Sequence, residues 1–166
     1  AAQTRPADEI VVVDNASSDD SVAYLRARWP QVTVVALEEN LGFAEGNNRG
    51  AAGARTDALV FLNNDTEAEP GWLAALEAAA RPPYALVASR IVFLDRPDVI
   101  DSAGDGYLRC GGGFKRGHGQ PAAAFAESRE VFGVCGAAFL VRRDLFERLG
   151  GFDPAFFMVY EDVDLS

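Results

Sequence analysis

Asp65 ends an apolar run. Leu59-Val60-Phe61-Leu62 gives way at once to Asn63-Asn64-Asp65-Thr66, so a stretch with no polar side chain stops on a row of oxygen ligands. In an open α/β sheet, ligands bind in the crevice at the carboxyl ends of the strands. A carboxylate there suits a hard divalent cation, which takes oxygen ligands and shares them with substrate phosphates. Asn and Asp are also ordinary turn formers, but the device is repeated. Ile10-Val11-Val12-Val13 runs into Asp14-Asn15-Ala16-Ser17 in the same way. A third acidic group, Glu161-Asp162, follows Phe152, Phe156, Phe157 and Tyr160. At a helix start both carboxylates gain from the helix dipole, yet neighbours point about 100° apart, so only one faces a given substrate. A solvated helix start would carry the same pair.

The elements that must hold these groups follow from the apolar pattern. Val11 to Val13 reads as a strand buried on both faces. Ser18 or Asp19 then caps a helix through Arg28, and Val32 to Leu37 makes the next strand. A helix is expected from Ala44 to Ala54, although Gly46, Gly50 and Gly53 each cost it about 1 kcal/mol and so suggest close packing or close approach of a ligand. Ala58 to Leu62 is a strand, and a helix opened by Pro70 runs to about Ala79. Such alternation predicts an α/β fold with a mostly parallel sheet and right-handed crossovers.

Beyond Pro82-Pro83 the pattern loosens. Ala85 to Ala88 and Ile91 to Leu94 are short apolar runs, and the stretch from Asp95 to about Arg129 is expected to be irregular. Seven of the sixteen glycines lie between Gly104 and Gly119, and Tyr107 to Gln120 has Arg109, Lys115 and Arg116 but no acidic residue. Loops this long are functional lids or disordered segments, and mobility is expected here. The Gly-Lys spacing of a phosphate-binding P-loop is absent. Val131 to Arg143 reads as a Gly-broken strand, and a helix from Asp144 to Leu149 closes at Gly150-Gly151.

Composition narrows the function. The 166 residues, 49% hydrophobic, suffice for one globular domain with a core of its own. A net charge of −10 argues against nucleic acid as a partner. Cys110, Cys135 and the lone His118 give neither a zinc motif nor a disulfide framework, so reduced thiols are expected. No apolar run approaches membrane-spanning length, and no signal peptide is visible.

Six motifs then occur in order: Asp14-Asn15-Ala16-Ser17, Asn40-Leu41-Gly42-Phe43 with Asn47-Asn48, Leu62-Asn63-Asn64-Asp65, Cys135-Gly136-Ala137-Ala138, Gly150-Gly151-Phe152-Asp153 and Glu161-Asp162-Val163-Asp164-Leu165. Together they resemble the family 2 glycosyltransferases of GT-A fold, and within them the bacterial rhamnosyltransferase-like branch. The resemblance implies a Rossmann-like sheet with a Gly-rich irregular insertion, its nucleotide-sugar part at about 1–94 and its acceptor side at about 95–166. It implies an inverting transfer from a nucleoside-diphosphate sugar to a hydroxyl of a saccharide or lipid-linked acceptor in cell-surface polysaccharide synthesis. The location it suggests is the cytoplasm, with the inner membrane face as an option.

Carried onto this chain, the family pattern makes Asp14, with Asn15, the reader of the nucleotide, and puts Asn40, Gly42 and Asn48 near the donor. Asn63-Asn64-Asp65 takes the place of an Asp-x-Asp motif whose last acid ligates Mn²⁺ or Mg²⁺; Asn63 replaces the first acid, which lowers the charge of the site. Asp162 matches the catalytic base, with Glu161 beside it. The family's first strand and its last acceptor-side elements are not in this sequence, so the domain is expected to be truncated at both ends. Two other classes share features: a non-catalytic nucleotide-sugar binding domain, and a sugar nucleotidyltransferase, whose early Gly-rich basic turn is missing.

Overall fold

The computed structural model describes residues 2–166. In chain order the strands are β1 (Val11–Asp14), β2 (Thr33–Ala36), β3 (Ala58–Leu62), β4 (Leu86–Ala88), β5 (Ile91–Val92), β6 (Ile100–Ser102), β7 (Asp105–Tyr107), β8 (Gly113–Lys115) and β9 (Ala138–Arg142). The helices are α1 (Ser21–Arg28), α2 (Gly42–Ala51), α3 (Trp72–Ala79), α4 (Arg143–Leu149) and α5 (Glu161–Leu165). β1 and β2 pair in parallel, joined through α1, with Val12 opposite Val34 and Asp14 opposite Ala36. A second sheet has the order β3-β9-β4.

β9 is the departure from a parallel sheet. It runs antiparallel to both neighbours, Leu62 facing Ala138 and Ala58 facing Arg142, so the sheet is mixed although the α/β class holds. Its position explains its sequence: Phe139, Leu140 and Val141 are buried between two strands and under helices, and no polar residue interrupts them. Phe139 is 0% exposed. It stacks on Phe61 at 5.0 Å, and Phe152 meets Phe61 edge-on at 5.1 Å and Phe146 at 5.4 Å. Such pairs add about 0.5–1.5 kcal/mol each beyond the area they bury. The aromatic core thus ties the end of β3, β9, α4 and the chain after α4 into one support.

Several boundaries differ from those the sequence predicts. The strand expected over Val131 to Arg143 is confined to β9, because Val131–Ala137 leaves the sheet. α2 starts two residues early, at Gly42, whose φ of +81° no β-carbon-bearing residue adopts cheaply. A Cβ there would also lie 2.3 Å from the Phe157 carbonyl oxygen, so the position requires glycine twice over. Neither Ser18 nor Asp19 makes the classical cap of α1; the Asp19 carboxylate accepts the Ser21 N–H at 3.0 Å just ahead of it. The stretch from Asp95 to Arg129 is less irregular than expected. β5 pairs with β6, β7 pairs with β8 as a hairpin, and a 3-10 turn covers Ala122–Phe125.

Candidate active site

The hairpin β7–β8, the loop before β9 and the segment entering α5 enclose a cleft of about 410 Å³. Asn63, Asp105, Lys115, Cys135, Glu161 and Asp162 line it. Because β9 runs against β3, the loop before β9 lies beside the end of β3, and the Asn63 N–H donates to the Ala137 carbonyl at 2.9 Å. The strand-end asparagine and the acidic pair, a hundred residues apart in the chain, therefore face one space.

Asp162 is held by backbone. Its Oδ2 accepts the Gly136 N–H at 2.6 Å and its Oδ1 accepts the Val163 N–H at 2.8 Å. Glycine at 136 permits this approach, since a Cβ there would stand 3.1 Å from Oδ2. Glu161 behaves differently. It is 5% exposed, its Oε2 has no partner among the described residues, and burial raises its pKa, so its neutral form is favoured. The two neighbours are thus held differently, Asp162 on backbone N–H groups and Glu161 by burial, although both line the cleft.

Two lining groups were not singled out from sequence. Asp105 on β7 is 9% exposed, and burial pushes its pKa up to about 6, with the Asp162 charge adding to the effect. Cys135 is a buried free thiol whose pKa is likewise raised, chiefly by burial, so the thiol form is favoured. A carboxylate oxygen of Asp105, one of Asp162 and the Cys135 Sγ all lie within 4.8 Å of one another. For Asp105 no local signal existed, as glycines flank it and its setting comes from the hairpin; Cys135 lies inside a recognised motif.

The donor-side residues are arranged by turn chemistry. Asp14 is buried and accepts the Ser17 N–H at 3.1 Å. Asn15 clasps the entry to α2, its Oδ1 taking the Leu41 N–H and its Nδ2 donating to the Gly42 carbonyl, both at 2.9 Å. Asn40 accepts the Gly42 N–H at 2.9 Å. Asn48 spends both ends on Phe152, donating to its carbonyl at 2.8 Å and accepting its N–H at 2.9 Å. Asn64 and Asp65 sit exposed in the turn after β3. The cations of these segments have partners of their own. Lys115 pairs with Asp101 at 2.7 Å, Arg116 stacks over Phe125, and Arg142 pairs with Asp144 at the end of β9 remote from the cleft.

Comparison with known proteins fits this geometry. Solved structures with this arrangement are GT-A glycosyltransferases. They include GalNAc-T7 with UDP, GalNAc and Mn²⁺ (TM-score 0.71, 18% identity, 95% of this chain and 33% of that one) and S. aureus TarS 1-349 with UDP (TM-score 0.67, 17% identity, 98% and 46%). At these identities the likeness is one of fold. The sequence carries the family: the signature described as Glycosyl transferase family 2 matches residues 1–150, and the chain belongs to that family. Among relatives, the O-antigen biosynthesis protein RfbC of Myxococcus xanthus is 32% identical over 99% of this chain and 14% of its own length. An N-acetylglucosaminyl-diphospho-decaprenol L-rhamnosyltransferase of Mycobacterium tuberculosis is 30% identical over 95% of this chain and 59% of its own length. The chain thus spans less than two thirds of the relatives it matches. Among the described residues no helix is long and apolar enough to cross a membrane.

Proposed function

We propose that the chain is the donor-binding and catalytic part of an inverting glycosyltransferase acting in cell-surface polysaccharide synthesis, with rhamnosyl transfer to a saccharide or lipid-linked hydroxyl as its reaction. The observation that carries the reading is Asp162, fixed by the Gly136 and Val163 N–H groups in the cleft that Asn63 also lines. The acceptor oxygen attacks the anomeric carbon as the nucleoside diphosphate departs, and Asp162 takes the hydroxyl proton. General-base help of this kind contributes typically about 10² to 10⁴ in rate. The names of the two relatives support the pathway and the sugar.

Asp14, Asn15, Asn40, Gly42, Asn48, Asn63 and Asn64 are assigned to the nucleotide sugar, with the donor bound along the strand ends. For Asn15 and Asn48 the role is indirect, through the backbone they hold. Asp65 fits a divalent ion, Mn²⁺ or Mg²⁺: it is exposed, and among the described residues no salt bridge or side-chain hydrogen bond engages it. When bound, the ion neutralises charge on the departing diphosphate. The site of action is the cytoplasm. A panel of nucleoside-diphosphate sugars, screened by thermal shift with and without Mn²⁺, selects the donor through the stability that binding adds. Turnover with that donor then decides between an enzyme and a nucleotide-sugar binding domain, the rival that Asn63 in an acid's place keeps in view.

A further inference from the structure

Asp105, Cys135 and Asp162 come from three separate elements, β7, the loop before β9 and α5, which is why the sequence shows no zinc motif. One carboxylate oxygen from each acid and the Cys135 Sγ lie within 4.8 Å of one another, and among the described residues no other three His, Cys, Asp or Glu side chains do. Ligands at about 2.0–2.3 Å around a tetrahedral zinc ion stand about 3.5 Å apart, so shifts of about 1 Å close the set. Hydrogen bonds outside the ligand atoms hold the three in place. The Asp105 N–H and carbonyl both pair with Gly133, at 2.8 and 3.1 Å, which fixes β7 to the loop that carries Cys135. Ser166 does the same for α5: its Oγ accepts the Val134 N–H at 3.2 Å and donates to the Asp162 carbonyl at 2.6 Å. A second observation is independent of the cluster. Glu161 lines the same cleft, is 5% exposed, and its Oε2 is buried with no hydrogen-bond partner among the described residues. A buried acceptor ordinarily has a donor, and a water on an ion's open position carries one.

We propose that Asp105, Cys135 and Asp162 form a second metal site, separate from Asp65, that takes Zn²⁺ and thereby shuts the enzyme off. A thiolate selects a softer ion than the oxygen ligands that suit Mn²⁺ or Mg²⁺. Three protein ligands with a fourth position open to water is a common zinc arrangement. On binding, the Sγ–Zn bond forms as the thiol proton leaves to water, and any proton on Asp105 leaves with it. The charges balance with Lys115 counted. Lys115 is the register partner of Asp105 and puts a positive charge beside it, partly answered by Asp101 at 2.7 Å. Against it stand the Asp105 and Asp162 carboxylates and the Cys135 thiolate, so the dication and the ammonium together match the three ligands. The effect on activity rests on the reading of Asp162 as the base. With its oxygen on Zn²⁺, Asp162 takes no proton, and transfer stops while the donor stays bound at the strand ends.

Co²⁺ is the probe for the site, since it replaces Zn²⁺ and reports a thiolate ligand by a near-ultraviolet charge-transfer band. Added to the metal-free chain, it is expected to give the band in the wild type, in Asp65→Ala and in Cys110→Ser, whose sulfur is exposed and outside the cleft. Cys135→Ser should lose the band, and Asp105→Asn should weaken the ion by about tenfold or more. A band that follows Cys110, or persists in Cys135→Ser, overturns the proposal. If Cys135→Ser does not fold, X-ray absorption of the wild type with one equivalent of Zn²⁺ decides. One sulfur at about 2.3 Å beside oxygen ligands is expected, and a shell without sulfur overturns the site. With the donor the thermal-shift panel selects and Mn²⁺ at saturation, Zn²⁺ should then abolish turnover, and its removal with Mn²⁺ restored should recover it. Cys135→Ser should need about tenfold more Zn²⁺ for the same fractional loss of its own rate. Zn²⁺ bound at Cys135 with turnover intact overturns the inhibition. A wild type that transfers no sugar from any bound donor sinks the glycosyltransfer reading instead, while the cobalt band still decides the site.

Discussion

The two halves of this chain use carboxylates in opposite ways. Up to β3 the acids at strand ends are offered outward or settled in turns: Asp65 is exposed, and Asp14, though buried, is met by the Ser17 N–H. After β4 they are drawn inward. Asp105 and Glu161 are buried with raised pKa values, and the half-buried Asp162 has its oxygens on backbone N–H groups. A carboxylate meant to share a cation with a phosphate must stay accessible and anionic, whereas one meant to handle a proton gains from burial and a like-charged neighbour. These acids differ in dielectric surroundings more than in residue type.

The comparison breaks most sharply at Asp162. Asp162→Asn should lower turnover by about 10² to 10⁴ while donor affinity stays within about twofold, whereas Asp65→Ala should weaken donor binding, remove its dependence on the cation and lower turnover as well. Steady-state rates beside calorimetric donor binding, with Mn²⁺ and with chelator, read both. If Asp65→Ala leaves the chelator effect intact, the outward-facing acid has no metal to hold.

A smaller effect lies in stability. Asp105 prefers its neutral form in the fold, its pKa having moved from 3.8 to about 6, so its favourable contribution is full below about pH 4 and is lost as pH rises through 6. Asp105→Asn should thus be more stable than the parent at about pH 8, by on the order of 3 kcal/mol, and no more stable at about pH 4. Denaturant melts at the two pH values measure it. Equal differences at both would mean that Asp105 is not paying for burial.

Of similar size is the tie between the halves. Asn48→Ala removes two hydrogen bonds to the Phe152 backbone and leaves that N–H and carbonyl without their partner, at a cost of about 1–3 kcal/mol. Calorimetry should show a lowered Tm with kcat nearly kept; a large loss of kcat in a stable variant would make Asn48 a direct ligand. Smallest of all is Arg142→Ala, which breaks an exposed pair at the end of β9 away from the cleft. Tm and turnover should both stay at wild-type values.

Local signals read well from the sequence. β3 was legible to the residue because an apolar run met an asparagine pair, and the closure of α4 because Gly150 takes φ +86°. The acidic pair was placed at a helix start, where α5 does begin. What stayed hidden was set by distant parts of the chain. Nothing in Ala138–Arg142 announces that it lies between β3 and β4, since burial on both faces looks the same for parallel and antiparallel neighbours. Asp105 looked like part of a glycine-rich loop, for its neighbours in space come from residues 135 and 162. The resemblance puts Asn48 near the donor, while its bonds to Phe152, on the chain that returns about a hundred residues later, had no signal in the sequence.

The insertion of β9 between β3 and β4 also sets an order of events during synthesis. β3 leaves the ribosome about eighty residues before the strand that covers it, so Leu59 and Phe61 wait for Phe139 and Phe152 to arrive. Until then the nascent chain carries an unpaired apolar edge, the kind of surface on which partly made proteins stick to one another. The chain from β7 onward brings Asp105, Glu161, Asp162 and the central strand together, so the cleft forms only when the sheet closes.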